Sequence, residues 1–257
     1  MNEPYRPHYR VPWSLRLLGL RRILVGRPVS CAADMARLLA AAPRPPRVEG
    51  VEQIPPSGAL LVTHNHYCRP GLGAWWSTSL VSTTVARRRG ADPVWLATSE
   101  WYYLDPLRSA TITPMTRWAF GRAARVWGLL PMPPDERELA RRAAAVRRVL
   151  HESRLIFAAG GVLGIAPEGR GEDVLVEPPT GAGRFLLRLT AAVADIVPVG
   201  IYEEGGTLVA RFGPAYRLAT HPGEDKRAED ERIKTEVMTA IAALLPAGAR
   251  GPYEIAP

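Results

Sequence analysis

The sequence predicts an α/β domain, a mostly parallel sheet flanked by helices, with a helical segment ahead of it. From residue 58 onward, short apolar runs of strand length alternate with longer stretches of helical pattern, the rhythm of strand–helix–strand units. A chain of 257 residues that is 47% hydrophobic and 23% charged has a globular composition and enough length for a sizeable core. No run reaches the roughly 18 apolar residues of a membrane span. The longest uncharged run, Pro70 to Ala86, is rich in Ser and Thr, so no transmembrane helix is expected.

Val11 to Val25 sets Trp13, Leu17, Leu18, Leu20 and Leu24 among Arg16, Arg21 and Arg22. This is a short amphipathic basic helix, of the kind that lies in a membrane interface or packs on its own domain with its arginines in water. A second helical stretch, Ala32 to Ala42, ends at Pro43, Pro45 and Pro46, which mark a linker. Residues 1–47 therefore read as a basic, membrane-associating helical segment and residues 48–257 as the α/β domain. Gly58 to Thr63 is the first strand of that domain, followed by Pro70 in the first turn of a helix that runs to Arg88. Val94 to Thr98 is the next strand, Met115 to Val126 a helix and Leu129 to Met132 a further strand. Asp135 to Glu152 is a helix of high propensity whose opening acids suit the helix dipole. Gly161 to Ala166, Ile196 to Tyr202 and Thr207 to Phe212 are the later strands, the last two forming an antiparallel piece. A helix from Ala182 to Val193 lies between the first two of these, and a helix around Glu229 to Leu245 closes the chain.

The net charge is +8, and only Lys226 and Lys234 are lysines. Nine arginines face Glu3, Asp34 and Glu49 in the first 50 residues, whereas residues 161–257 are net acidic. Such a balance suits nucleic acid, an anionic membrane surface or a phosphorylated substrate. No zinc pattern and no aromatic–glycine RNA-binding signature is present, so nucleic acid is not expected. The density of arginine around residues 11–25, beside apolar anchors, points to an anionic membrane surface. Two cysteines are too few for a disulfide framework, and no small-residue cleavage site follows the first apolar run. A cytoplasmic chain, peripheral on the cytoplasmic face of the membrane, is the expectation.

Chemistry concentrates at three strand ends. Thr63-His64-Asn65-His66-Tyr67-Cys68-Arg69-Pro70 follows the first strand, where a histidine faces a cleft above the sheet and suits a general base. Gly164-Ile165-Ala166-Pro167-Glu168-Gly169-Arg170-Gly171 ends another strand; its glycines let the backbone approach a ligand, and Arg170 offers a planar fork that matches phosphate. Ile196 to Ile201 is an apolar strand suited to pack beside it. Cys68 is two residues from His66, and residues so spaced at a turn seldom face each other, so a small buried thiol is expected rather than a nucleophile. His64, His66 and Cys68 lack a second ligand cluster, so neither a metal nor another cofactor is expected. Arg137, Arg141 and Arg148 share one helix face and read as solvated. Trp75, Trp76, Trp95, Trp101, Tyr102 and Tyr103 read mostly as core, with Trp101 to Tyr103 suited to an acyl tunnel or a lipid interface.

Order and spacing together resemble the glycerolipid acyltransferase family of the lysophosphatidic acid type. Its first block reads Asn-His, four residues, Asp; its third reads Phe-Pro-Glu-Gly-Thr-Arg; its fourth is an apolar strand with Pro. Asn65-His66, Ala166-Pro167-Glu168-Gly169 and Val197-Pro198-Val199 match these blocks, and Thr180 to Leu187 looks like the family's Gly-rich helix start. The likeness covers roughly residues 48 to 218, with the N-terminal helices in place of the family's membrane-associating hairpin. It implies a glycerolipid acyltransferase-like fold and direct acyl transfer from acyl-CoA or acyl carrier protein to a lysophospholipid or glycerol phosphate hydroxyl. His66 would be the base, with Asn65, Glu168, Gly169 and Arg170 on the substrate side.

Three departures bear on that expectation. The family aspartate is replaced by Gly71, the second block (Gly128 to Pro133) has no arginine, and Arg170 sits one position early because the threonine is missing. Three readings of the first departure follow. Glu100, Asp105 or Glu168 orients His66 from another element, or His66 works unassisted, or the domain is catalytically degenerate and only binds lipid or acyl ligands.

Overall fold

The computed structural model describes residues 6–101, 105–133, 139–190 and 193–254. Seven strands form one sheet: β1 (Arg47–Glu49), β2 (Leu60–His64), β3 (Val94–Thr98), β4 (Leu130–Met132), β5 (Val162–Ile165), β6 (Asp195–Glu204) and β7 (Thr207–Phe212), in the order β1-β7-β6-β2-β5-β3-β4. The five strands from β6 to β4 are mutually parallel, with Thr63 opposite Ile165 on one side and Pro198 on the other. β7 returns antiparallel to β6 through Gly205-Gly206, both at positive φ as a two-residue hairpin requires. The short edge strand β1 joins β7 in parallel and was not anticipated, since three residues carry no readable period.

Helices α1 (Trp13–Val25), α2 (Cys31–Leu39), α3 (Ala74–Arg89), α4 (Pro106–Trp127), α5 (Leu139–Ala158), α6 (Ala182–Thr190) and α7 (Lys226–Ala242) surround the sheet. All five residues of β2 are buried, and they alternate between two cores. Leu60 and Val62 meet Trp76, Leu80 and Val85 of α3, whereas Leu61 meets Val149 of α5, Leu186 of α6 and Ile233 of α7. Parallel strands covered on both faces read as continuous apolar runs, which is why they were legible.

Two helix starts differ from expectation. Pro70 is not in a helix: Arg69 and Leu72 exchange backbone hydrogen bonds of 3.0 and 2.8 Å around Pro70-Gly71, and α3 begins only at Ala74. Pro followed by a glycine at φ 85° is the chemistry of a tight turn. α4 begins nine residues before Met115, because Asp105 accepts from the Arg108 N–H (2.8 Å) with Pro106 in the first turn. The exposed Leu107 and the internal Pro114 hid that first half from a search for a buried apolar stripe. The acids expected to open the following helix, Asp135 and Glu136, lie outside the described residues, as does Arg137.

The N-terminal segment is packed into the helical layers. Tyr9 is buried edge-on to Trp76 (5.2 Å between centroids), and its N–H donates to the Gly71 carbonyl at 2.7 Å. The Trp127 indole donates to Asp34 of α2 at 3.0 Å. α1, by contrast, has no buried residue. Among the described residues, no helix is long and apolar enough to cross a membrane.

Candidate active site

Parallel pairing brings the C-terminal ends of β2, β5, β3 and β4 to one rim of the sheet, and the site is built on the segment that leaves β2. Asn65 turns the chain there. Its carboxamide donates to the Ile201 carbonyl (2.8 Å) and accepts from the Ile201 N–H (2.6 Å), closing the gap between β2 and β6. Both ends of the side chain are engaged and buried, so Asn65 holds the turn in place.

The next residue, His66, is tied through its backbone. Its N–H donates to Glu168 Oε1 at 2.6 Å, while Glu168 Oε2 accepts from the Val176 N–H at 2.9 Å. Burial pushes the Glu168 carboxyl up to about 7, against the pull of these two N–H donors and Arg170. Glu168 thus joins the β2 exit to the loop after β5 and takes no part in orienting the imidazole.

Arg69 fixes the far side of the turn. Its guanidinium forks onto Glu203 of β6 (2.5 and 2.6 Å), with the two side chains only 4% and 7% exposed. The remaining donors reach the Pro70 and Pro7 carbonyls, and the Tyr67 hydroxyl also donates to Glu203 at 3.1 Å. A buried, bidentate pair of this kind is rigid and directional.

The His66 ring is half-buried. Nδ1 is enclosed, has no hydrogen-bond partner among the described residues, and lies close to Gly171, where an added β-carbon would be 3.3 Å from it. The same β-carbon would lie 2.5 Å from Cys68 Sγ. Cys68 and His66 therefore do border a common point, contrary to their spacing in sequence, because Gly171, which has no side chain, comes close to both from the loop after β5. Burial and the nearby Glu172 hold the Cys68 thiol above its ordinary value, so it is not activated. Burial lowers the pKa of His66, and the nearby Arg170 carbonyl, which lies outside hydrogen-bonding geometry, opposes it in part. The imidazole is neutral at pH 7 and presents its Nε2 edge outward.

None of the three acids weighed for orienting His66 does so. Glu100 is bound by Arg117 and by Arg141 (2.5 and 2.7 Å), Asp105 caps α4, and Glu168 bonds only to N–H groups. At the position matching the family aspartate, Gly71 has φ 85° and a β-carbon would lie 2.6 Å from His8 Nδ1. Restoring that residue is therefore expected to harm the protein: Gly71→Asp should lower stability by about 1–3 kcal/mol and give no gain in turnover, as read by denaturant titration and assay.

Arg170 is exposed and, among the described residues, makes no ion pair. With Glu168 and Pro178 to Thr180 it borders a hollow of about 410 Å³. The start of α6 does not add an anion site to it, because Asp230 accepts from the Gly181 and Arg184 N–H groups at 2.7 and 2.9 Å. Farther along the rim, Arg141 turns back from α5 to Glu100 and is half-buried instead of standing in water as expected, whereas Arg148 is exposed, as expected, and donates to the Pro131 carbonyl (2.9 Å). With Arg117 they border a second hollow of about 380 Å³ at the end of β4. The sequence period put Arg141 and Arg148 on one face of α5 but did not bring in Arg117 of α4 or Glu100 from the segment after β3. Trp76 and Trp95 are core, Trp75 and Trp101 are exposed, and Tyr102 and Tyr103 lie outside the described residues.

His64 is fully buried beside the Trp95 ring (5.2 Å), and Nδ1–H donates to the Asn65 carbonyl at 2.8 Å. Burial lowers its pKa from 6.5 to about 4. The unfolded chain therefore takes up this proton first as pH falls, and stability is lost between about pH 6.5 and 4. The loss reaches about 3 kcal/mol. Glu168, raised from 4.5 to about 7, works in the opposite sense by a comparable amount, so the wild-type curve stays nearly level here, and His64→Phe should gain stability relative to wild type as pH falls from about 6.5 to 4.

The sheet order and the flanking helices define a mostly parallel α/β fold of acyltransferase-like architecture. The chain is similar to the solved structure of the 1-acyl-sn-glycerophosphate (LPA) acyltransferase PlsC from Thermotoga maritima, with a TM-score of 0.51 over 90% of this chain and 81% of that one. At 13% identity this likeness concerns the fold. No family model and no curated protein matches the sequence.

Proposed function

We propose that the chain is a phospholipid or glycerol acyltransferase whose general base is His66, acting without a carboxylate partner. The observation that carries the reading is a neutral, half-buried histidine held at the strand rim beside the exposed Arg170, on an acyltransferase-like fold. His66 Nε2 takes the proton of an acceptor hydroxyl as that oxygen attacks the thioester carbonyl of acyl-CoA or acyl carrier protein. The tetrahedral intermediate collapses, the C–S bond breaks, and the imidazolium returns the proton to the departing thiolate. The Arg170 carbonyl near the ring favours its protonated form. The Arg170 guanidinium, with N–H groups near Gly169, holds the phosphate of a lysophospholipid or glycerol phosphate, or the developing oxyanion. Asn65 and Glu168 position the turn.

The unpartnered Nδ1 favours a second reading, a catalytically degenerate domain that binds lipid or acyl groups. Incubation with labelled acyl-CoA and a panel of lysophospholipids separates the two, since only the first gives labelled product from the wild type. In either case residues 1–47 dock on the cytoplasmic face of an anionic membrane, through α1 and its arginines.

A further inference from the structure

α1 places Trp13, Leu17, Leu20 and Leu24 on one face at spacings of four, three and four, and all four are more than half exposed, with Trp13 at 69%. Arg16 and Arg21 flank that stripe. α4 repeats the device. Leu107 (72% exposed), Thr111, Pro114 and Trp118 (54%) follow the same spacing on its outer face, with Met115 beside them. Between them the two helices contain seven arginines and no acidic residue. Globular proteins rarely leave so many large apolar side chains together in water.

The stripes are joined. Arg122, one turn beyond Trp118, donates to the carbonyls of Ile23 (3.1 Å) and Leu24 (2.7 Å) and so fastens the end of α1 to α4. At the other edge, the Trp101 N–H donates to Thr116 Oγ1 (3.1 Å) and the Trp101 ring meets Phe120 edge-on, tying α4 to the rim at the end of β3.

We propose that α1 and α4 form one composite docking face for an anionic lipid bilayer, resting on the reading above that the protein is peripheral on membranes. Apolar stripes carrying Trp, bordered by arginine and free of acid, match a bilayer interface, where indoles sit at the headgroup level and arginines meet lipid phosphates. The face adjoins the strand rim, so a lipid acceptor enters from the bilayer side.

The test is co-sedimentation of the full chain with phosphatidylcholine vesicles, with and without phosphatidylglycerol, at low and high salt. The variant Leu107→Ser/Met115→Ser/Trp118→Ser should bind phosphatidylglycerol-containing vesicles at least about tenfold more weakly than wild type, as should Trp13→Ser/Leu17→Ser/Leu20→Ser. Both should keep the wild-type melting curve, because none of these side chains is buried. Wild-type binding by the α4 variant, with loss only in the α1 variant, overturns the composite face while leaving the peripheral reading standing. Absence of binding by the wild type overturns both. A lipid-free dimer that the α4 substitutions dissociate assigns the face to a second copy of the chain and overturns the proposal.

Discussion

His66→Ala is expected to reduce acyl transfer by about 10²- to 10³-fold while leaving the thermal midpoint nearly unchanged. The effect lies at the lower part of the usual range for a general base because the imidazole already works without a carboxylate to fix its tautomer, a deficit that costs orders of magnitude in related chemistry. The fold survives because the strongest ties of this segment run through the His66 N–H, the Asn65 carboxamide and the Arg69 guanidinium, none of which the substitution touches. Burial lowers the pKa of His66, so kcat/KM should hold its plateau down to about pH 6.5 and fall only below it. That acid limb should vanish from any residual activity of the alanine variant. Equal turnover by wild type and His66→Ala would remove His66 from the reaction. Absent turnover in both would favour the lipid-binding domain.

The second large effect concerns the pair that holds the turn. Arg69→Leu leaves the Glu203 carboxylate buried without its counter-charge, and such a loss costs about 3–5 kcal/mol. For a chain of this size that corresponds to a drop of about 10 °C in Tm. Glu203→Leu should be comparably harmful, since it strands the guanidinium. The double variant should be less harmful than the two single losses added together, because an apolar pair leaves no unpaired charge. Additive losses in that cycle would show that the two side chains act independently. Arg69 also anchors Pro7 and Pro70, so Arg69→Leu should loosen the turn that carries His66 and lower turnover as well.

The elements of the sheet, β1 excepted, were readable because their strands are apolar runs and most helices carry a buried face. Ambiguity entered where local chemistry misled. Pro70 looks like a helix start but belongs to a turn with Gly71, and the exposed first half of α4 offers no buried stripe to detect. The candidate site was readable as far as strand-end motifs reach: His66, Glu168 and Arg170 do meet on one rim. Their roles were not readable. Glu168 borders the hollow beside Arg170 and is also bound to the backbone of the turn, and Asn65 is bound to Ile201, pairings that no motif announces.

The sequence by itself determined the α/β class, the strands that matter and the presence of Gly71, not an aspartate, at the fifth position after His66. Only the tertiary structure decided that among the described residues no acid fills that place, that Gly171 comes close to both His66 and Cys68, and that Arg69 pairs with Glu203. The physical reason is separation. Glu168 is 102 residues from His66, Glu203 is 134 from Arg69, and Ile201 is 136 from Asn65. Periodicity and capping act over a few residues, whereas a buried hydrogen-bond partner is chosen by whichever group the packed sheet brings within about 3 Å.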